Sequence, residues 1–443
     1  MKKSILMTAL LVLALSTVFA QGVSLDISLA HPILADTGLQ TTYLRVGLSG
    51  NEPADQALRP KINTALVIDR SGSMNGQRMR QAIQAGHTAL EMLRNGDAVS
   101  IITYSDSAEV IIPATVLDSN NRPRFHQALD AIEASGLTAL FAGVTMGGRE
   151  LETYLQNQMV NRVILLSDGI ANVGPASPRE LGNLGETLRR KGISVSTIGL
   201  GLGYNADLMY ELAARSHGNH AFVENPSELV GIFRREFESL MAVVASDAEI
   251  RISFAPGVSP VRLLNRDGEV YDDQVVFRLS QLYALQEQYV LIEVEVDPVS
   301  VRSGSSAAGE VVEVSVGYLH LGARTHEYIS DSIGLQFSEN QEEILARQNR
   351  KTLADVALQT ATNRNETALR MREEGKIDEA RMILQENAVI LAEAAELYDE
   401  PQLSAYARDN IQSADRIMED SVWEQEQRKM RASQHGIRTQ QSY

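Results

Sequence analysis

Ala65-Leu66-Val67-Ile68-Asp69-Arg70-Ser71-Gly72-Ser73-Met74 is the stretch that decides the fold. Four apolar residues run into a turn of small polar residues and Gly, the pattern of a buried strand ending at Asp69. The turn carries one carboxylate and two hydroxyls at alternate positions, Asp69, Ser71 and Ser73. In extended backbone, residues two apart point the same way, so the three oxygens can converge. Hard divalent cations such as Mg²⁺ take oxygen ligands, near-octahedrally at about 2.0–2.1 Å. Taken alone, the hexapeptide from Asp69 fits a solvated turn equally well.

Two later segments decide between these. Ser135-Gly136-Leu137-Thr138-Ala139-Leu140 sets a hydroxyl at the start of a helical pattern, and Val163-Ile164-Leu165-Leu166-Ser167-Asp168-Gly169 is a second buried strand ending in a carboxylate. Together they resemble the metal-ion-dependent adhesion site of von Willebrand factor type A domains, matched in order by Asp69, Ser71, Ser73, Thr138 and Asp168. The resemblance implies an α/β domain with a doubly wound parallel sheet and a bound Mg²⁺, with Mn²⁺ or Ca²⁺ as alternatives. It also implies that Ser71, Ser73 and Thr138 bind the ion directly, while Asp69 and Asp168 often act through water.

A chain of 443 residues, 44% hydrophobic, has material for two or three domains. Its formal charge of −17 argues against nucleic acid or an anionic membrane as partner. Residues 1–20 have the form of a signal peptide: basic Met1-Lys2-Lys3, an apolar middle, and small residues at Val18 and Ala20 before Gln21. Loss of Lys2 and Lys3 with it takes the charge from −17 to −19. An exported protein is expected, periplasmic, secreted or at the cell surface, with no membrane span after cleavage. There is no cysteine, which excludes disulfides, a cysteine-linked lipid anchor, thiolate zinc sites and cysteine nucleophiles.

Residues 24–29 and 43–48 alternate apolar and polar, as half-buried antiparallel strands do. From 61 to 246 the pattern becomes strand–helix–strand, with helices expected at 78–93, 124–134, 138–155, 178–190, 206–215 and 227–244. The A-domain resemblance covers this whole block. Asp69 and Asp168 both fall at carboxyl ends of strands, where open α/β sheets bind ligands. Strand alternation returns from 248 to 338, with a flexible hairpin loop at Ser303 to Gly309. Two early strands alone make no stable sheet, so residues 22–60 and 248–338 are expected to form one all-β sandwich with the A domain inserted in it. The inter-α-trypsin inhibitor heavy chains are similar in flanking an A domain with β-structure. Residues 340–431 read as long amphipathic helices (342–374, 378–397 and 402–431), and 432–443 as a disordered tail. Leu369, Gly375, Asp378-Glu379-Ala380 and Leu384 resemble the inside of a tetratricopeptide-type hairpin.

His217-Gly218-Asn219-His220 falls at a helix-to-strand turn without an acidic third ligand, and reads as structural. Asn365-Glu366-Thr367 has the form of a glycosylation acceptor, but a helix interior is a poor one. No His-Glu-x-x-His, phosphate loop or Gly-x-Ser-x-Gly elbow is present, so no enzyme is expected. The expectation is an exported binding protein whose cation, roughly neutralised by two carboxylates, grips an acidic residue of another protein. The alternative is an envelope scaffold that binds through its C-terminal helices, the metal being only structural. A chelatase-type subunit fits less well, since it works in the cytosol.

Overall fold

The structure is a computed structural model that describes residues 22–52, 59–157, 159–304 and 310–441. The signal-like segment, part of the link before residue 60, most of the 303–309 loop and residues 442–443 lie outside the described residues.

The α/β unit is built on six strands in the order Ala108–Val116, Ala98–Tyr104, Ile62–Asp69, Val160–Ser167, Ser194–Leu200, His220–Val223. All neighbours are parallel except the first pair. Every residue of Ile62–Asp69 is buried, because helices cover both faces of the sheet. Leu66 and Ile68 face a core beneath helices Gln77–Met92 and Leu229–Met241. Ala65 and Val67 face a core beneath Leu140–Leu151 and Ala206–Ser216. A continuous apolar run, where a half-exposed strand would alternate, is the direct consequence. The helix Pro178–Arg190 begins with a capping box between Ser177 and Glu180, the local signal for its start.

The remaining strands form two antiparallel sheets and a short parallel pair, Ile33–Ala35 with Gln336–Ser338. One sheet has the order Val23–Leu29, Gln40–Gly50, Glu287–Val296, Val258–Leu263; the other runs Glu269–Val270, Gln274–Tyr283, Val243–Phe254, Glu310–His320, Thr325–Gly334. Strands from before and after the α/β unit therefore share a sheet, Val46 standing opposite Val290. Their alternate residues, among them Leu44, Val46, Ile250, Ile252, Ile292 and Val316, meet in one hydrophobic core.

The C-terminal region is helical: Gln341–Ala346, Arg350–Glu373, Ile377–Tyr398, Pro401–Arg416 and Asp420–Thr439. Arg45, fully buried on strand Gln40–Gly50, ties it to the sheet through Asp355 (2.7 Å) of helix Arg350–Glu373, and also pairs with Glu287 (2.7 Å) and Asp26 (3.3 Å) of the flanking strands.

Several boundaries differ from the sequence reading. The helix expected over 342–374 is two, Gln341–Ala346 and Arg350–Glu373, the second capped by Asn349 Oδ1, which accepts from the Thr352 N–H at 3.0 Å; the one expected over 124–134 ends at Asp130. The helix expected over 227–244 stops at Met241, and Val243 already opens a strand opposite Tyr283; β-branched Val243-Val244 favour that state. The helix expected from Thr138 starts at Leu140, leaving Thr138 in the loop before it. The helix expected over 402–431 breaks at 417–419, where the Ile417 carbonyl accepts a bond from Arg372 Nε at 2.8 Å. The disordered tail expected from 432 is instead helical to Thr439, with Gln434 and His435 buried and His435 Nε2 2.9 Å from the Gly218 carbonyl. Tertiary contact to the α/β unit orders a segment whose polarity reads as solvated.

Candidate metal centre

All five residues singled out in the sequence meet at the carboxyl ends of the two central strands. A Cβ placed on Gly169 would lie 3.0 Å from Thr138 Oγ1, 3.4 Å from Ser73 Oγ and 3.7 Å from Ser71 Oγ. Three hydroxyls thus surround one point, in space that only a glycine leaves open. Ser71 Oγ and Ser73 Oγ are 3.0 Å apart, and Ser73 Oγ donates to Asp168 Oδ1 at 2.6 Å. Asp69 and Asp168 are fully buried behind the hydroxyls, while Ser73 reaches the surface.

Backbone bonds fix the three loops. Asp69 Oδ1 accepts from the Ser71 N–H at 2.8 Å, folding the turn back on its own carboxylate. The Gly72 N–H donates to the Gly136 carbonyl (3.0 Å) and the Ser135 N–H to the Arg70 carbonyl (2.6 Å), stitching the first loop to the second. Asn172 holds the Thr138 backbone from both sides, its Oδ1 accepting from Thr138 N–H at 2.8 Å and its N–H donating to Thr138 O at 3.2 Å.

Burial pushes the Asp69 carboxyl up to about 6; bonds from Ser71 and Ser167 pull it down, and the neighbouring Asp168 charge raises it further. Two buried carboxylates side by side favour a cation. Among the described residues no three His, Cys, Asp or Glu side chains are grouped to hold a metal. The donor set here is of another kind, two carboxylates and three hydroxyls, all oxygen, which suits a hard divalent ion.

Three partners escaped the sequence reading. Ser167 Oγ donates to Asp69 Oδ2 at 2.8 Å; its place just before Asp168 at a strand end was the available signal. Asn172 offered none. Arg78 Nη1 lies 2.6 Å from Asp168 Oδ2 and 3.2 Å from the Ser73 carbonyl, so a fixed cation already faces one of the two carboxylates. The two histidines of 217–220 form no pair: His217 Nδ1 meets Ser280 Oγ at 2.9 Å, and His220 Nδ1 meets Thr197 Oγ1 at 2.8 Å. Burial lowers both to about 3, and their role is structural. Asn365 is buried and bonded to Tyr406 and Asn387, out of reach of glycosylation.

Residues 63–235 match the family described as von Willebrand factor type A domain. The Escherichia coli K12 protein YfbK is 27% identical over 219 residues, 49% of this chain and 38% of YfbK. Inter-alpha-trypsin inhibitor heavy chain H3 of Bos taurus is 28% identical over 166 residues, 35% of this chain and 18% of that protein. The chain thus spans well under half the length of either relative. A solved von Willebrand factor type A structure from Catenulispora acidiphila superposes with a TM-score of 0.68 at 17% identity, over 86% of this chain and 89% of its own. That likeness shows a shared fold.

Proposed function

We propose that the von Willebrand factor type A domain in this chain holds a divalent cation, Mg²⁺ or Mn²⁺, at Asp69, Ser71, Ser73, Thr138 and Asp168, and uses it to bind an acidic residue of another protein. The convergence of three hydroxyls on the space above Gly169, backed by two buried carboxylates, carries the reading. When bound, the cation supplies an open coordination position for an anionic oxygen. The chain's own residues do the rest. Ser167 and the Ser71 N–H orient Asp69, and Asn172 holds Thr138 toward the cradle. Leu137 and Ile170, 50% and 64% exposed, flank Thr138 and Gly169 in sequence and offer apolar contact beside it. In this reading the domain is inserted in an all-β sandwich, supported by the strands on either side of it that share one sheet. The protein is exported and acts by binding, not catalysis.

Gly169→Ala is the sharpest test, because its methyl fills the cradle and removes no ligand. Wild type is expected to bind one Mg²⁺ or Mn²⁺ per chain and to melt higher with it. Gly169→Ala and Asp168→Ala should lose both responses while keeping their circular dichroism. A wild type with no heat and no stabilisation at millimolar metal would refute the site. Partner capture from envelope extract should vanish with EDTA and in Gly169→Ala.

A second reading has its own observation. Met382, Val389, Ile390 and Leu397 on one C-terminal helix, and Ile411 on the next, are 44–62% exposed. Partner binding through this face, the metal being structural, predicts that Val389→Asp ends capture while EDTA leaves it intact.

A further inference from the structure

The opposite end of the α/β sheet carries a second feature. A cavity of about 290 Å³ lies where the α/β unit, the antiparallel sheets and the last helix meet. His217 and Gly218, just before strand His220–Val223, form one wall, so the cavity sits at that parallel strand's amino end, away from Asp168. Three arginines line it, Arg266, Arg278 and Arg438, against a single acid among its described lining residues, Asp267.

The arginines are not equivalently compensated. Arg278 pairs with Glu249 and Arg438 with Glu366. Elsewhere Arg45 collects three carboxylates, and Arg162, fully buried, faces Glu236 at 2.8 Å. Among the described residues Arg266 has only neutral acceptors: the Tyr289 carbonyl (3.1 Å), the Thr439 carbonyl (3.4 Å) and Gln440 Oε1 (2.7 Å). Thr439 ends the last helix, whose carboxyl end carries about half a negative charge. That offsets part of the guanidinium charge and leaves the remainder. Burial lowers the Arg266 pKa to about 10, with no carboxylate acting to raise it. Arg438 Nε, buried on the same lining, has no acceptor among the described residues. A half-buried cation facing no carboxylate and an unmet buried donor both cost stability unless an acceptor arrives.

We infer that this junction cavity binds a small organic anion, a carboxylate or a phosphate ester, through Arg266 and the free Nε of Arg438. Leu264 and Leu279 give the lining an apolar part for a carbon skeleton. The volume matches the small end of ligand pockets, about 300 Å³. Because the walls come from three parts of the chain, the bound anion would fasten the α/β unit to the helices and the sheets.

The test titrates the full chain with sodium succinate and with glycerol 3-phosphate, against sodium chloride of equal ionic strength. Calorimetry should show saturable binding of at least one of the two, near one per chain, and the melting temperature should rise by mass action. The succinate and phosphate arms tell the two sources apart. Arg266→Met should weaken binding by about tenfold or more, the ~1.4 kcal/mol of a lost charge-assisted bond, while its melting temperature without anion stays level or rises. Should Arg266→Met fail to fold, Arg438→Gln, which removes the free donor, is expected to weaken binding in the same direction. No saturable heat with either anion up to about 10 mM, or a response equalled by sodium chloride, would overturn the inference. So would unchanged affinity in the folded variants.

Discussion

Asp69→Asn separates the electrostatics of the proposed metal centre from its packing. Asp69 is fully buried, and its carboxyl rises from 3.8 to about 6 on folding. A folded pKa above the unfolded one means that the metal-free protein holds this proton more tightly when folded. The resulting stabilisation is complete below about pH 4 and is lost as the pH rises through about 6. A shift of roughly two units is worth about 3 kcal/mol. At neutral pH the metal-free protein therefore carries an ionised, buried carboxylate at about that cost, which a divalent cation relieves. Asparagine is nearly the same size and can still accept from the Ser71 N–H, without the charge. Without metal at about pH 7.5, Asp69→Asn should be more stable than wild type by up to about 3 kcal/mol, and the difference should shrink toward about pH 5. With Mg²⁺ the order should reverse: wild type is stabilised, increasingly so between about pH 5 and 7.5, and the variant does not respond. Urea denaturation followed by circular dichroism, at both pH values with Mg²⁺ or EDTA, measures all of this. A metal-free Asp69→Asn less stable than wild type at about pH 7.5, or equal Mg²⁺ stabilisation of both proteins, would refute the reasoning.

Arg78→Gln removes the guanidinium that faces Asp168 at 2.6 Å and competes for its charge. Mg²⁺ affinity should rise about fivefold by calorimetry, the ~1 kcal/mol of a partly exposed ion pair; a fall would mean that Arg78 positions Asp168 for the ion. Glu236→Leu leaves Arg162 buried beside Ser196 and Tyr283 without its carboxylate and should cost about 3–5 kcal/mol in urea denaturation. The Arg162→Met/Glu236→Leu pair should recover most of that loss. His435→Ala loses the bond to the Gly218 carbonyl and should speed hydrogen exchange in the last helix, leaving the Mg²⁺ response unchanged.

The candidate metal centre was legible in the sequence because each proposed ligand sits where a strong local pattern stops. A strand buried on both faces must be apolar throughout, so Ala65–Ile68 and Val163–Leu166 mark their own carboxyl ends, and the polar residues just beyond stand out. The order of strand and helix patterns likewise implied a parallel sheet. Only the tertiary structure supplied the groups that tune the site. Arg78, Ser167 and Asn172 reach Asp168, Asp69 and Thr138 across loops whose approach depends on how the sheet is wound. The polar composition of 432–439 describes a solvated segment, yet Gln434 and His435 are buried, and His435 Nε2 meets the Gly218 carbonyl 217 residues away in sequence. Local patterns record what one segment needs from solvent. They do not record which distant surface will meet it, and that decided the ordered last helix, the buried arginine pairs and the cavity beside Arg266.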